Sequence, residues 1–249
     1  MLGNTINAVA HRFGFHVSRW RAERENLPAF VGREFMEFYY SSRHATMTTW
    51  TGCYQTYLAI RHVAEARIPG DIVECGVYKG GLSILMTEIL KRHGVQDRTV
   101  WLYDTFNGMP ELGEKDFDRH YMRPAADWMR NDEKVRSVAR RATVVRNLEN
   151  AVYPFDLFRL VEGKVEETIP GRMPDKIALL RLDTDWYESA RHELEYLFPR
   201  LVPGGVLIVD DYGIWDGARK AVDEYFAANA LPPPIAQDTE YAALVTVKP

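Results

Sequence analysis

Short, continuous apolar runs alternate with amphipathic stretches along most of the chain after Gly70. Such runs, bounded by glycine, proline or polar residues, are typical of buried strands, and apolar positions at helical intervals are typical of helices. Repeated strand–helix units favour a mostly parallel sheet with helices on both faces. The pattern predicts seven strands, namely Ile72–Cys75, Thr99–Tyr103, Leu157–Val161, Ile177–Leu182, Val206–Val209, and a closing pair at Ile235–Gln237 and Tyr241–Val247.

The first part of the chain has a helical pattern instead. Apolar residues recur at helical spacing around Phe35 and Phe38 and again around Leu58, and Pro69-Gly70 provides a turn signal. We therefore expect a helical arm or lid at residues 1–69 and an α/β domain at residues 70–249. Within that domain, helices are predicted at about Gly80–Arg92 and Gly217–Ala228.

Composition narrows the class of protein. The formal net charge of −4 disfavours a nucleic-acid partner. No apolar stretch is long enough to span a membrane, and the N-terminus lacks the apolar core of a signal peptide. Cys75 lies in a predicted buried strand and Cys53 is the only other cysteine, which fits a reducing compartment. We expect a cytoplasmic protein with a small-molecule partner.

Acidic residues follow two predicted strands. Asp183 and Asp185 come after Leu182, and Asp210 and Asp211 come after Val209. Ligands bind outside the carboxyl ends of strands in such sheets, and oxygen-only ligands favour Mg²⁺ or Mn²⁺. Asp183 and Asp185 would share a face in extended chain. The alternative is that these aspartates cap helices, although a cap explains only one aspartate at each strand end.

A glycine turn follows the first predicted strand. Gly76, Gly80 and Gly81 follow Glu74, but Tyr78 stands where a dinucleotide turn needs its second glycine, which argues against NAD. Carboxylates at Glu74 and Asp104 suit ribose hydroxyls and a cationic amino-acid group, a polarity that fits S-adenosylmethionine. The alternative is that these glycines only permit close packing.

A metal site beside a methyl donor indicates transfer of the methyl group to a hydroxyl. A divalent ion lowers the pKa of a bound hydroxyl, and a nearby unbound carboxylate accepts its proton. Asp185 is the candidate base, and Asp183, Asp210 and Asp211 are the candidate ligands. The long segment from Thr105 to Arg130 interrupts the strand–helix rhythm and is interpreted as a substrate-covering lid, with a surface excursion as the alternative.

These residues resemble an ordered set of motifs in one family. The set runs from Glu74–Gly81 through Asp104–Pro110, Gly163–Pro170 and Leu182–Tyr187 to Asp210–Gly213. It resembles the macrocin O-methyltransferases, which use Mg²⁺ and S-adenosylmethionine to methylate sugar hydroxyls of antibiotics. The resemblance covers roughly residues 40–249. It implies a Rossmann-like class I methyltransferase domain at 70–249 behind an N-terminal helical extension.

The resemblance also implies roles for single residues. Asp183, Asp210 and Asp211 would bind the metal, and Asp185 would be the base. The methionine part of the cofactor would contact Glu74, Gly76 and Tyr78, its ribose Asp104, and its adenine the Lys164-Val165 pair, while the Thr46–Thr48 segment would close over it. The predicted cofactor-binding residues are Met47, Thr48, Glu74, Gly76, Tyr78, Gly80, Ser83, Asp104, Lys164, Val165 and Asp183.

Alternative functions remain at this point. The same chemistry on a catechol or a polysaccharide hydroxyl is one, and a non-catalytic S-adenosylmethionine-binding protein is another. The intact Asp185 argues against the latter. The aromatic-rich arm, with Phe13, Phe15 and Trp20, predicts a covering partner, and the resemblance implies a homodimer or a dimer of dimers.

Overall fold

A computed structural model describes residues 27–28, 30–118, 123–125, 138–232 and 243–249. Its main sheet has six strands, and a short antiparallel pair forms a second sheet. The strands are β1 (Asp71–Cys75), β2 (Val100–Asp104), β3 (Phe117–Asp118), β4 (Arg123–Pro124), β5 (Phe158–Glu162), β6 (Ile177–Leu182), β7 (Leu201–Val209) and β8 (Leu244–Val247).

Seven helices accompany these strands in the described part of the chain. Those predicted at Gly80–Arg92 and Gly217–Ala228 are confirmed to within one residue. Two longer helices, those that begin at Arg141 and Tyr187, were not predicted. The helices are α1 (Arg33–Ser42), α2 (Trp50–Glu65), α3 (Gly81–Arg92), α4 (Arg141–Glu149), α5 (Val165–Thr168), α6 (Tyr187–Leu197) and α7 (Asp216–Ala228).

The main sheet has the strand order β5-β2-β1-β6-β7-β8, and only β8 is antiparallel to its neighbour. This confirms the predicted mostly parallel α/β sheet. Because β6 and β7 are paired, with Leu182 opposite Val209, the two acidic pairs lie at one edge of the sheet, as expected. Of the predicted closing pair, the second strand is confirmed as β8, whereas Ile235–Gln237 lies outside the described residues, so seven strands are not confirmed.

Strand β7 begins five residues earlier than predicted. The Pro203-Gly204-Gly205 sequence has the composition of a turn, yet it lies within the strand. Gly204 N–H donates to the Lys248 carbonyl, and Lys248 N–H donates to the Gly205 carbonyl. Pairing with the C-terminal residues therefore holds this stretch in the sheet, although Gly204 has a φ of +80°. The register with β6 shifts nearby, and a proline is tolerated at such an irregularity.

Residues Glu37–Pro249 form one compact unit, separate from Met1–Met36. In the larger unit α2 packs against α3. Gly81, the first residue of α3, permits a close approach to the turn that precedes α2, since a Cβ at this position would lie 2.6 Å from the carbonyl carbon of Ala45. The division at residues 69 and 70 stays a prediction, and Phe13, Phe15 and Trp20 lie outside the described residues. Among the described helices, none combines the length and the apolar character that crossing a membrane requires.

Candidate active site

A cavity of about 310 Å³ opens at the carboxyl ends of the parallel strands. This volume falls in the usual range for small-molecule sites, about 300–1,000 Å³. Each parallel strand contributes a residue at or just after its end, and the start of α2 and the segment after β2 complete the wall. The strand-end residues are Gly76, Asp104, Gly163, Asp183 and Asp210.

Most of the predicted site residues line this cavity. Glu74, Gly80 and Ser83 are the exceptions. The predicted residues in the wall are Met47, Thr48, Gly76, Tyr78, Asp104, Lys164, Val165, Asp183, Asp185, Asp210 and Asp211.

Three carboxylates converge at one end of the cavity. Oxygens of Asp183, Asp185 and Asp211 all lie within 4.8 Å of one another. Burial, together with the charges of Asp183 and Asp210, raises the pKa of Asp185 to about 7. Burial and the neighbouring Asp185 likewise raise the pKa of Asp211 well above its usual value. Anions this crowded are stabilised by a cation, or one of them holds a proton.

The backbone turns sharply at Asp185. Its φ of +66° lies in the left-handed region, which is costly for a residue with a side chain. Trp186 N–H donates to the Thr184 carbonyl at 2.7 Å and closes this tight turn. Asp183 and Asp185 therefore do not share a face through strand alternation, as the sequence suggested. The turn brings them together, and strain of this kind is concentrated at functional sites.

Arg181 is the residue that the sequence analysis missed. Its guanidinium is 1% exposed, although it lies in the otherwise apolar strand β6. Nη1 donates to Asp183 at 2.8 Å and to Glu74 at 3.3 Å, and Nη2 contacts Asp210 at 2.9 Å and Thr48 at 3.2 Å. The signal was present in the sequence, because a lone arginine in a buried apolar run needs anionic partners.

The acidic end fits a hard divalent cation. Its ligand atoms are all carboxylate oxygens, the type that Mg²⁺ and Mn²⁺ prefer. Arg181 pairs with Asp183 and Asp210 of the four aspartates, so the carboxyl groups of the cluster outnumber the guanidinium that faces them. The group whose oxygens lie within 4.8 Å of one another is Asp183, Asp185 and Asp211, which differs from the predicted ligand set of Asp183, Asp210 and Asp211. Asp183 and Asp210 both pair with Arg181. The assignment of ligands and base within the cluster stays a prediction.

Side-chain capping does not account for these aspartates. Helix α6 has Trp186 at its N-cap and α7 has Trp215, and neither cap residue makes a side-chain capping bond. The carboxylate that accepts from the first N–H of α6 belongs to Asp116. The capping interpretation of the acidic pairs was therefore wrong.

Elsewhere in the cavity wall, Asp104 organises the glycine turn. Its carboxylate accepts the N–H groups of Val77 at 2.7 Å, Tyr78 at 3.0 Å and Phe106 at 2.7 Å. Gly76 has a φ of +83°, and a Cβ there would lie 2.0 Å from the Asp183 carbonyl oxygen. The glycine therefore lets the turn after β1 lie directly against the turn that carries the acidic cluster.

The three predicted residues outside the wall are buried or structural. Glu74 is 1% exposed and accepts a hydrogen bond from the Ser83 hydroxyl. Burial, partly offset by Arg181, raises the pKa of Glu74 to about 7. Gly80 precedes α3 with a φ of +84°. Direct contact of these three residues with a cofactor stays a prediction.

Other cavity residues were not predicted individually. They come from the segment after β2, from the α5–α6 contact, where Ser189 donates to Glu166 at 2.7 Å, and from the loop before α7. Nothing in the local pattern marks those that lie outside the family motifs, because they meet only through the fold, whereas the others fall within the motifs Asp104–Pro110, Gly163–Pro170 and Leu182–Tyr187. They include Thr49, Gly108, Met109, Pro110, Glu166, Thr184, Ser189, Ile214 and Trp215.

Comparison with known proteins now decides the family. A family model for macrocin O-methyltransferase (TylF) matches residues 41–244. The chain belongs to this family. The match spans both the glycine turn and the acidic cluster, so the predicted resemblance is confirmed.

Characterised relatives support the same placement. The chain is 37% identical over 177 residues to 8-demethyl-8-(2,3-dimethoxy-alpha-L-rhamnosyl)-tetracenomycin-C 4'-O-methyltransferase of Streptomyces olivaceus, covering 68% of this chain and 63% of the relative. It is 40% identical over 176 residues to demethyldecarbamoylnovobiocin O-methyltransferase of Streptomyces niveus, covering 68% and 62%. The matched part thus spans less than two thirds of each of these relatives.

A solved structure is similar as well. The structure of the O-methyltransferase NovP covers 78% of this chain and 77% of its own, with a TM-score of 0.65 and 34% sequence identity. The calicheamicin methyltransferase CalS11 aligns with a TM-score of 0.56 at 20% identity, covering 89% of this chain and 82% of its own, which supports the fold alone.

Proposed function

We propose that this chain is a metal-dependent O-methyltransferase that moves a methyl group from S-adenosylmethionine to a sugar hydroxyl on a natural product. The observation that carries the proposal is one cavity that joins a glycine turn held by Asp104 to a cluster of four aspartates. The glycine turn would hold the methyl donor, and the aspartates would hold a cation that activates the acceptor hydroxyl.

The cofactor would lie along the glycine turn. Gly76, Tyr78 and Asp104 line the cavity, and so do Lys164 and Val165. We assign the methionine part and the ribose to the first three residues and the adenine to the last two. Met47 and Thr48, from the start of α2, would cover the bound cofactor, and the hydrogen bond from Arg181 to Thr48 supports this by linking that segment to the acidic end.

In the proposed reaction, Asp185 accepts the proton of the acceptor hydroxyl. Its raised pKa favours proton uptake near neutral pH, where a general base is most effective. A bound Mg²⁺ or Mn²⁺ would supply a Lewis acid that lowers the pKa of that hydroxyl. Asp183, Asp210 and Asp211 would hold the ion. The walls contribute by excluding water and by aligning the oxygen with the methyl group.

The acceptor class rests on the family and on the relatives. The names of the two Streptomyces relatives describe O-methyltransferases that act on tetracenomycin and novobiocin intermediates, the first of which carries a rhamnosyl group. We therefore propose a glycosylated small molecule as acceptor. A homodimer or a dimer of dimers stays a prediction, which light scattering across a range of concentrations would test.

Calorimetry and a methyl-transfer assay test this function. S-adenosylhomocysteine should bind the purified full chain and raise its melting temperature, whereas NAD should do neither. Methyl transfer would be assayed by mass spectrometry with demethyldecarbamoylnovobiocin, rhamnosyl-tetracenomycin and a catechol as acceptors. We expect transfer to a sugar acceptor that stops in EDTA and returns with Mg²⁺. No binding of S-adenosylhomocysteine by folded protein would refute the proposal, full turnover in EDTA would refute the metal role, and catechol methylation alone would change the acceptor class.

A further inference from the structure

The segment after β2 forms one side of the cavity, and one buried residue fastens it. Gly108, Met109 and Pro110 line the cavity. Asp116 lies in the same segment, outside the cavity wall, and is only 4% exposed. A carboxylate this well buried needs hydrogen-bond donors around it.

The donors come from different parts of the fold. Oδ1 of Asp116 accepts the N–H of Tyr187 at 2.8 Å, and Oδ2 accepts the N–H of Gly113 at 2.7 Å. The carbonyl of Asp116 accepts the N–H of Ala125 at 3.1 Å. Tyr187 is the first residue of α6 and lies two positions after Asp185. Asp116 therefore joins the cavity-lining segment to the helix that follows the acidic turn.

Helix α7 packs against the same carboxylate. A Cβ on Gly217 would lie 2.2 Å from Oδ1 of Asp116 and 2.9 Å from the Tyr187 nitrogen. Gly217 is the second residue of α7, and the two residues before that helix, Ile214 and Trp215, line the cavity. A glycine is thus required at this point for α6, α7 and the segment after β2 to meet.

Aromatic packing surrounds this junction. Trp186 and Trp215 contact each other edge to face, with centroids 5.3 Å apart, and Ala125 packs in the same cluster. Met109 packs against the cluster from the cavity-lining segment. The polar bonds of Asp116 and this apolar cluster hold the same three elements together, and Met109 and Trp215 both reach the cavity.

We propose that Asp116 is a positioning residue that fastens residues 105–118 to the starts of α6 and α7 and thereby fixes the acceptor side of the cavity. The fastening itself follows from the contacts above. Its consequence for the acceptor rests on the proposed methyl-transfer function. On this account Asp116 does not touch the cofactor or the acceptor, and it acts through the wall formed by Met109, Pro110 and Trp215.

Two independent variants disturb the junction from opposite sides. Asp116→Ala removes both acceptor oxygens, whereas Gly217→Ala leaves Asp116 unchanged and forces its carboxylate away. Asp116→Asn retains one acceptor oxygen, so it should weaken the junction less than Asp116→Ala does. The matched controls are Gly171→Ala, where the nearest atom to the new Cβ lies at an ordinary 3.5 Å, and Asp97→Ala, whose side chain is 87% exposed.

Hydrogen exchange, measured by mass spectrometry on the full chain, tests the fastening. Peptides covering residues 107–118 and 186–190 should exchange roughly 10-fold to 100-fold faster in Asp116→Ala and Gly217→Ala, the change expected from losing hydrogen bonds to a charged group. The two controls should match the wild type. Unchanged exchange in Gly217→Ala and Asp116→Asn, both of which keep most of the packing, would overturn the proposal even if Asp116→Ala failed to fold.

Kinetics test the positioning. With whichever sugar acceptor the wild type methylates, KM for that acceptor should rise roughly 10-fold or more, as for a lost charged hydrogen bond, while the Kd of S-adenosylhomocysteine stays within about twofold. A lower melting temperature with unchanged acceptor KM would make Asp116 merely structural and overturn the positioning role. If the wild type methylates none of the acceptors, the proposed function fails, and exchange at residues 107–112 alone decides whether Asp116 fastens the wall.

Discussion

Asp104 and Asp211 lie at the same edge of the sheet and line the same cavity, but their carboxylates are stabilised in different ways. Asp104 accepts three backbone N–H groups, from the glycine turn and from the start of the next segment. Asp211 instead faces the carboxylates of Asp183 and Asp185. The protein supplies the donors at the glycine turn, and at the acidic cluster it brings carboxyl groups together.

The difference indicates what each side binds. A carboxylate that accepts several backbone N–H groups fixes the shape of a turn. It also holds its own negative charge in a fixed position, where a polar ligand can meet it. Carboxylates that outnumber their donors destabilise the site until a cation joins them. Arg181 supplies part of that positive charge from within the fold, through its contacts with Asp183 and Asp210. The comparison predicts larger effects from changes on the acidic side.

Asp185→Asn should give the largest effect. The amide keeps the shape of the side chain but accepts no proton, so turnover should fall roughly 10²-fold to 10⁴-fold, the usual contribution of a general base. Binding of Mn²⁺, measured by calorimetry, should change little, whereas Asp183→Asn should weaken it. Asp185 belongs to the closest group of oxygens, so the opposite outcome is informative. If Asp185→Asn loses the metal and Asp183→Asn keeps it, the two roles are exchanged.

Arg181→Met should have the next largest effect, on stability. Removing the guanidinium leaves Glu74, Asp183 and Asp210 without their buried cation, and breaking a buried ion pair from one side costs about 3–5 kcal/mol. Urea denaturation in EDTA would measure the free energy of unfolding. Arg191→Met, at a half-exposed arginine on α6, is the matched control and should change it little. Equal stability of the two variants would show that Arg181 does not balance the acidic side.

Asp104→Asn should have a smaller effect, because the turn keeps part of its bonding. The amide retains one oxygen, but its NH₂ group then faces N–H donors of Val77 and Tyr78 or of Phe106. Leaving such a buried donor unsatisfied costs about 1–3 kcal/mol. We expect this loss in the free energy of unfolding, together with weaker binding of S-adenosylhomocysteine by calorimetry. Normal affinity in a destabilised variant would mean that the turn is a scaffold that the cofactor does not contact.

The sequence was sufficient for the features that local pattern determines. Strand β6 was predicted with its observed bounds because its apolar run ends sharply at an acidic pair. The sequence left open whether β6 and β7 are neighbours, and their pairing in the structure settles it. The family resemblance then located most of the cavity wall, since Tyr78, Asp104 and Lys164 belong to motifs with fixed spacing.

What the sequence did not reveal depends on contacts between distant parts of the chain. The partners of Arg181 come from β1, from the acidic turns and from the start of α2, and no spacing rule connects them. Asp116 bonds to Tyr187, 71 residues further on. Gly76 was predicted as a cofactor-binding glycine, and the structure shows a second reason for it, because a Cβ there would lie 2.0 Å from the Asp183 carbonyl oxygen.

Glu193 is a third carboxyl group near the site, and its surroundings differ from those of both Asp104 and Asp211. It is 0% exposed on α6, beneath the acidic turn, where Oε2 accepts the Thr184 hydroxyl at 3.0 Å. The Cys75 thiol also interacts with this carboxyl group, whose Oε1 has no conventional hydrogen-bond partner in the described part of the chain. Burial raises the pKa of Glu193 well above its usual value of about 4.5. Burial therefore favours the neutral form of this carboxyl group, which differs from both Asp104 with its backbone donors and the aspartates of the acidic cluster.

Glu193→Gln should give the smallest effect, and one that depends on pH. The folded protein holds this proton over a range in which the unfolded chain has already released it, so the stability of the wild type is full below about pH 4.5 and falls as pH rises toward the folded pKa. Glutamine does not titrate, so the free energy of unfolding of the variant should increase relative to that of the wild type as the pH rises above about 4.5. The increase is at most about 1.4 kcal/mol per pH unit. Urea denaturation at several pH values measures the gain, with the half-exposed Glu195→Gln as control. A difference that stays flat with pH would mean that Glu193 is ionised in the folded protein, and the acidic side would then extend beneath the turn to this residue.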